Sequence, residues 1–169
     1  MLLDTLLDVR DRSEALIARL EPEDLGLQGM ADASPPKWHL AHTTWFFDTF
    51  VLQPHLASHT PCDPRWSYQF NSYYETVGER HPRSERGVLS RPPVREILAW
   101  RAEVDAGLKQ LLSNEPTPEL QTLVELGLQH EQQHQELLLM DLLDGFSRQP
   151  LEPSYGIDAD LQTKTVRPQ

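Results

Sequence analysis

The sequence feature that most constrains the fold lies between residues 120 and 141, where core-type positions recur in alternating steps of three and four. This spacing is typical of a helix that packs along its length against other helices. The series is Leu120, Leu123, Gly127, His130, His134, Leu137 and Asp141. Two histidines therefore occupy core positions one helical turn apart, separated by about 6 Å along the axis.

Three further stretches show helical periodicity, and no segment shows the alternation of a half-buried strand. We expect four helices, at residues 2–20, 34–52, 94–112 and 118–143. Their predicted boundaries are Ser34 as an N-cap, Pro54 as a helix end and Gly145 as a helix stop. The residues thus predict an all-α domain, for which a four-helix bundle is the economical architecture.

A long link, roughly residues 54–91, separates the second and third predicted helices. Its length permits a crossover, and long links in compact domains are usually functional or packed across the domain. The polar segment 151–169 lacks a helical pattern and is typical of a linker or disordered tail. We therefore assign residues 1–150 to the bundle and residues 151–169 to the tail.

The charge balance restricts the class of partner. Lys and Arg total 15 and Asp and Glu total 26, which gives a formal charge of −11. Such a chain is unsuited to nucleic acid or to a polybasic contact with a membrane surface. There is no run of about 20 apolar residues and no signal-peptide pattern. With a single cysteine, Cys62, interpreted as an incidental loop thiol, we expect a cytoplasmic protein that binds small molecules.

A third histidine, His42, occupies a core position of the second predicted helix. The inward series there is Trp38, His42, Trp45, Thr49 and Leu52. Neutral imidazole is a common ligand for iron, zinc, copper and nickel, and helical bundles build metal sites from facing helices. His42, His130 and His134 therefore predict a metal site with open coordination positions, the alternative being hydrogen-bonded core histidines. His39, which lies beside Phe46 and Phe50, is interpreted as structural.

The polar neighbours of the predicted site allow two interpretations each. Glu131, Glu136 and Asp141 could orient the ligand imidazoles, or they could form caps and ion pairs. Gln133 could point into the site, or it could lie on the helix surface.

Three arginines in the long link, Arg80, Arg83 and Arg86, are spaced three residues apart. Guanidinium groups recognise carboxylates well. If the link folds over the end of the bundle, these arginines could hold an acidic substrate; otherwise they pair with surface acids.

Three segments together resemble one family, the N-terminal domain of the sulfoxide synthases of ergothioneine biosynthesis. They are SPPKWHLAHTTWFFDTFVL at 34–52, FNSYYETVGERHPRSERG at 70–87 and LGLQHEQQHQELLLMDLL at 126–143. Enzymes of that family begin with a DinB-like four-helix bundle. The resemblance implies non-haem Fe(II) bound by His42, His130 and His134, with zinc or nickel as alternative ions in purified protein.

The same resemblance implies substrates and an activity. Gln133 matches a glutamine near hercynine (Nα-trimethylhistidine), and Arg83 and Arg86 match arginines that hold the carboxylates of the thiol substrate. The family uses O2 to join the sulfur of cysteine or γ-glutamylcysteine to hercynine as a sulfoxide. Its C-terminal domain, similar to formylglycine-generating enzymes, is absent from this sequence. We therefore expect sulfoxide synthesis to need a second domain or a partner chain, and we assign no catalytic residue.

Two other functions remain open. A DinB-like thiol S-transferase or isomerase would use the same three histidines to hold zinc or nickel and would need no O2. A metal-binding module without catalysis would need only the ion.

Overall fold

The computed structural model describes residues 2–72 and 78–156, and within these ranges every regular element is helical, with no strand. The all-α prediction is confirmed. The α-helices are α1 (Leu2–Ile17), α2 (Pro36–Phe46), α3 (Gln53–His55), α4 (Pro64–Phe70), α5 (Val94–Leu111) and α6 (Pro118–Ser147). Short 3₁₀ helices cover Asp24–Gly26 and Arg83–Val88.

Helix α2 is the central element of the domain. All of its residues are buried, and it packs against α1, α5 and α6. A helix buried on all sides has no polar face, which is why its aromatic residues and histidines lie around the whole circumference. The four longest helices correspond to the four predicted ones. The bundle topology with a crossover stays a prediction.

A π-helical turn, Phe47–Leu52, joins α2 to α3. In this turn the backbone N–H of Gln53 donates to the carbonyl of Asp48, five residues back. The wider turn accommodates an extra residue, so the residues that follow face a different direction from those of a regular α-helix. Thr49, which the regular period places inward, is only half-buried, whereas Asp48 is fully buried. The helical path then continues through Pro54, the predicted helix end, to His55.

Two predicted helix boundaries are wrong. Ser34 is not the N-cap of α2, because Pro35 holds that position and makes no side-chain cap. Gly145 does not stop α6, which runs to Ser147. A Cβ atom at Gly145 would lie 2.6 Å from Leu27 Cδ2, so the glycine there permits close packing rather than ending the helix.

The start of α6 is close to the prediction. Thr117 is its N-cap, and the threonine hydroxyl accepts the backbone N–H of Leu120 at 3.3 Å. The most deeply buried face of the helix contains Val124, Leu128, Glu131, Leu138 and Leu142. Of the predicted series, Leu120, Gly127 and Asp141 are buried, whereas Leu123, His130, His134 and Leu137 are only partly buried. The last three of these side chains lie at the border of the core, where they can line a cleft.

A buried ion cluster ties α1, α5 and α6 together. Glu131 accepts hydrogen bonds from Arg10 Nη1 at 3.0 Å and from the Ser13 hydroxyl at 2.7 Å, and it pairs with Arg101. The side chains of both arginines are 0% exposed. Glu131 is therefore a partner in an ion pair and does not orient a ligand imidazole.

The predicted link contains α4 and the second 3₁₀ helix, and its residues 73–77 lie outside the described ranges. The predicted tail is described only as far as residue 156. There the Tyr155 hydroxyl donates to the carbonyl of Leu16 at 2.8 Å. In the described ranges, no helix has both the length and the apolar character needed to cross a bilayer.

Candidate metal centre

Helices α2 and α6 bring the three predicted ligands together. His42, His130 and His134 each offer a ring nitrogen, and these atoms all lie within 4.8 Å of one another. His42 is buried in the centre of the domain, whereas His130 and His134 are partly exposed along the edge of α6. The spacing of four residues on α6 places its two imidazoles on one side of the helix.

The orientation of His42 is set by its surroundings. Its Nδ1 donates to the carbonyl of Phe70, at the end of α4, over 2.6 Å. Its ring stacks on Trp38, with centroids 4.6 Å apart and an interplanar angle of 13°. Because Nδ1 carries the proton, Nε2 has a free lone pair. This Nε2 lies 3.2 Å from Nε2 of His130.

The histidines are held in the neutral form that binds metal ions. Burial lowers the pKa of His130 to about 4 and lowers the pKa of His42 well below its ordinary value. Burial, followed by the charges of the neighbouring imidazoles, also strongly lowers the pKa of His134. Among the described residues, Nδ1 of His130 is buried without a hydrogen-bond partner. Three neutral nitrogen donors that converge in this way fit a divalent ion such as Fe(II), zinc or nickel.

A fourth histidine, His39, reaches the same site. It is buried, and its Nδ1 lies 2.9 Å from Nδ1 of His134. Its Nε2 lies 3.1 Å from Oδ2 of Asp141. Burial is the main cause that lowers the pKa of His39. In the sequence His39 is three residues before His42 and therefore shares a side of α2 with it, but the contact with His134 depends on how α2 packs against α6.

A cleft of about 420 Å³ opens beside the three histidines. This size falls in the usual range for small-molecule sites, which is about 300–1,000 Å³. The cleft is also lined by the three side chains predicted to bind substrate, Gln133, Arg83 and Arg86.

The sequence matches the DinB superfamily over residues 5–138, most of the 169-residue chain. The chain belongs to the DinB superfamily. DinB-like domains are often metal-binding, and the matched range contains all three histidines. No curated protein matches the sequence.

Of the three arginines predicted to hold an acidic substrate, Arg86 is the most deeply buried, at 3% exposed. Its guanidinium carbon lies 3.4 Å from the centroid of the Trp38 ring, a cation–π contact. It also donates to the hydroxyls of Ser34 at 2.8 Å and Ser72 at 3.2 Å. Arg86 thus belongs to the wall of the site, stacked behind the tryptophan that supports His42.

The other two arginines of the link differ in position. Arg83 is half-buried at the cleft, and its backbone carbonyl accepts a hydrogen bond from Gln28 Nε2 at 2.9 Å. Arg80 is exposed and lies in a separate surface pocket with Tyr68 and Glu79. Arg83 therefore lines the cleft, while Arg80 lies elsewhere.

The three acidic residues that could orient the imidazoles lie in different surroundings. Glu131 pairs with buried arginines, and Glu136 is exposed. Asp141 alone of the three contacts a histidine at the site, through its hydrogen bond to His39.

Proposed function

We propose that this DinB domain is the metal-binding part of a non-haem Fe(II), O2-dependent sulfoxide synthase. Its substrates are hercynine and a thiol, either cysteine or γ-glutamylcysteine. The proposed architecture is a four-helix bundle with a link that crosses over between its second and third main helices. The observation that carries the proposal is the convergence of three neutral imidazoles beside a cleft lined by Gln133 and Arg83.

The donor set suits a reaction with several reactants. Three protein nitrogens on one side of an ion leave the opposite side open to solvent or substrate. Fe(II) bound there would supply coordination of a thiolate and reduction of O2. The reaction balances with O2 alone: the imidazole C–H, the thiol S–H and O2 give the C–S bond, the sulfoxide oxygen and one water. Both organic substrates are oxidised, and no further reductant is needed.

The residues of the chain have distinct tasks in this proposal. The Arg83 guanidinium binds a carboxylate of the thiol substrate by charge and hydrogen bonds. The Gln133 amide can donate to or accept from the hercynine imidazole. Arg86 contributes positive charge from the wall, where Trp38 and two hydroxyls fix it. The negative charge of the chain favours such small-molecule partners over nucleic acid or membrane surfaces, and we propose a cytoplasmic location.

The resemblance in sequence supports a second component. A C-terminal domain similar to formylglycine-generating enzymes completes the pocket in the family that the chain resembles. We propose that this function is supplied by a further domain or by a partner chain, which would cover the open side of the cleft.

The direct test is an activity assay with iron verified by metal analysis. The protein is incubated with Fe(II), O2, hercynine and γ-glutamylcysteine or cysteine, with and without a candidate partner chain. Formation of the hercynyl sulfoxide, measured by mass spectrometry, supports the proposal. Absence of product under both conditions, with iron bound, contradicts it.

Two matched pairs of variants assign the substrate contacts. We expect Arg83→Ala to raise the KM for the thiol, whereas Arg80→Ala, outside the cleft, leaves it unchanged. We expect Gln133→Ala to impair use of hercynine, whereas Gln132→Ala, one residue away and outside the cleft, has little effect.

A second candidate function is a thiol S-transferase or isomerase that uses zinc or nickel. The observation that favours it is that this domain by itself supplies all three ligands. Such a reaction would need no O2. Anaerobic consumption of a thiol together with an electrophile would support this alternative. Metal binding without turnover in either assay would instead identify a metal-binding module.

A further inference from the structure

A chain of hydrogen bonds extends from a carboxylate to one of the candidate ligands. Asp141 Oδ2 lies 3.1 Å from His39 Nε2, and His39 Nδ1 lies 2.9 Å from His134 Nδ1. Asp141 and His134 belong to α6, whereas His39 belongs to α2. The imidazole of His39 therefore bridges two positions of α6 that are seven residues apart.

The chemistry of the groups sets the direction of each hydrogen bond. A carboxylate only accepts, so Nε2 of His39 donates to Asp141. In a neutral imidazole the other nitrogen then has a lone pair, and Nδ1 of His39 accepts from Nδ1 of His134. The proton of His134 is thereby held on Nδ1. Its Nε2 is left with the lone pair that a metal ion requires.

The carboxylate at the start of the chain is itself anchored. The same oxygen of Asp141 accepts the backbone N–H of Ser34 at 2.8 Å, and both residues are buried. Ser34 also accepts a hydrogen bond from Arg86 through its hydroxyl. Because Asp141 and Ser34 are fixed in this way, the His39 ring can hold His134 in one orientation and in one tautomer.

We propose that His39, held by Asp141, is a positioning residue that selects the Nδ1–H tautomer of His134 and directs its Nε2 toward the metal ion. This inference rests on the metal centre proposed above. Hydrogen bonds from ligand imidazoles to such partners typically contribute about 10–100-fold to metal affinity. His39 itself does not bind the ion.

The test compares Co²⁺ affinities, measured by competition with a chelator, together with the visible absorption spectrum of the bound Co²⁺. We expect His39→Leu to lower the affinity by about 10–100-fold and to change the spectrum. We expect His39→Gln to restore much of the affinity, because an amide can both donate to Asp141 and accept from His134.

His59→Leu is the matched control. His59 is mostly buried, and its Nε2 lies 3.3 Å from Oδ1 of Asp48, so it too is a histidine beside a carboxylate. It lines a different cavity, together with Cys62 and Trp66. We expect the affinity and spectrum of His59→Leu to match those of the parent protein, which separates the proposed role from a general effect on packing.

The outcomes distinguish this inference from the metal centre on which it rests. A parent protein that binds no Co²⁺ or Fe(II) overturns the metal centre. A parent protein that binds Co²⁺, together with a folded His39→Leu variant of equal affinity and unchanged spectrum, overturns the positioning role alone.

A measurement on the unmutated protein tests the proposal even if the His39→Leu variant does not fold. Long-range ¹H–¹⁵N correlation spectra of the Zn²⁺-loaded protein report the tautomer of each imidazole. We expect a proton on Nδ1 of His134 and on Nε2 of His39. The opposite tautomer at either ring contradicts the proposal.

Discussion

Nε2 of His42 and Nε2 of His130 face each other at 3.2 Å, although they lie on different helices. The proton of His42 is used at Nδ1, in the hydrogen bond to Phe70, so its Nε2 presents a lone pair toward His130. Two imidazole nitrogens this close to each other need a proton or a cation between them. The third nitrogen of the group, from His134, makes a divalent ion the better occupant.

We expect His134→Ala to lose most of its bound metal, because two imidazoles remain where three converged. Metal content after loading with Fe(II) or Zn²⁺ and gel filtration is the measurement. His55→Ala, which removes an exposed histidine at the end of α3, should retain the full amount. Full metal content in His134→Ala would show that the ligand assignment is wrong.

We expect Glu131→Gln to lower the free energy of unfolding by about 3–5 kcal/mol, because it leaves two buried guanidinium groups without their shared carboxylate. Urea denaturation followed by circular dichroism measures the change. Glu136→Gln, on the exposed face of the same helix, should alter the free energy by less than about 0.5 kcal/mol. Equal stability of the two variants would contradict a structural role for the ion cluster.

Gly127 is required where α6 passes the aromatic side chains of the α2 region. A Cβ atom there would lie 2.7 Å from ring carbons of Phe46 and of Phe47. We expect Gly127→Ala to destabilise the protein by about 1–3 kcal/mol, although alanine favours a helix. Gly26→Ala is the control, since nothing lies within 4 Å of its added methyl group. A stabilised Gly127→Ala variant in urea denaturation would refute the tight packing.

We expect the substitution of arginine by lysine to change the stability of the protein by different amounts at two positions of the cleft. Arg86→Lys loses the planar stack on Trp38, which is worth about 0.5–2 kcal/mol, and should lower the free energy of unfolding by a similar amount. Arg83→Lys, at a half-buried position, should leave that free energy nearly unchanged. Thermal and urea unfolding of both variants measure the difference. The reverse order of stability would show that Arg83, not Arg86, supports the wall.

Cys62 is expected to be a poor nucleophile in the folded protein. Burial, followed by the charges of Asp48 and Asp63, raises the pKa of its thiol to about 12. At pH 8 the lower thiolate fraction, partly offset by greater intrinsic nucleophilicity, should slow iodoacetamide alkylation roughly a hundredfold relative to the unfolded chain. The rate, followed by mass spectrometry, should still increase above pH 10. Rapid alkylation of the folded protein at pH 8 would contradict the interpretation of an incidental thiol.

Much of the candidate site could be predicted from spacing, because two of the three histidines, His130 and His134, lie on one helix. The interval between His130 and His134 is one turn of α6, and a local repeat is sufficient to place both rings on one side. The roles of Arg86 and His39 could not be predicted in this way. His39 meets His134 across 95 positions of sequence and Asp141 across 102, so these contacts depend on how α2 and α6 pack.

The amino-acid sequence by itself determined the helical character of the chain and the histidines that can share an ion, since both follow from the period of 3.6 residues per turn. Only the tertiary structure decided which way each helix faces. The π-helical turn after Phe46 shifted the buried face of the residues that follow it, and the packing of α6 left part of its predicted core series only partly buried. Both depend on packing between helices distant in sequence. That packing left His130 and His134 at the edge of the core, beside the cleft.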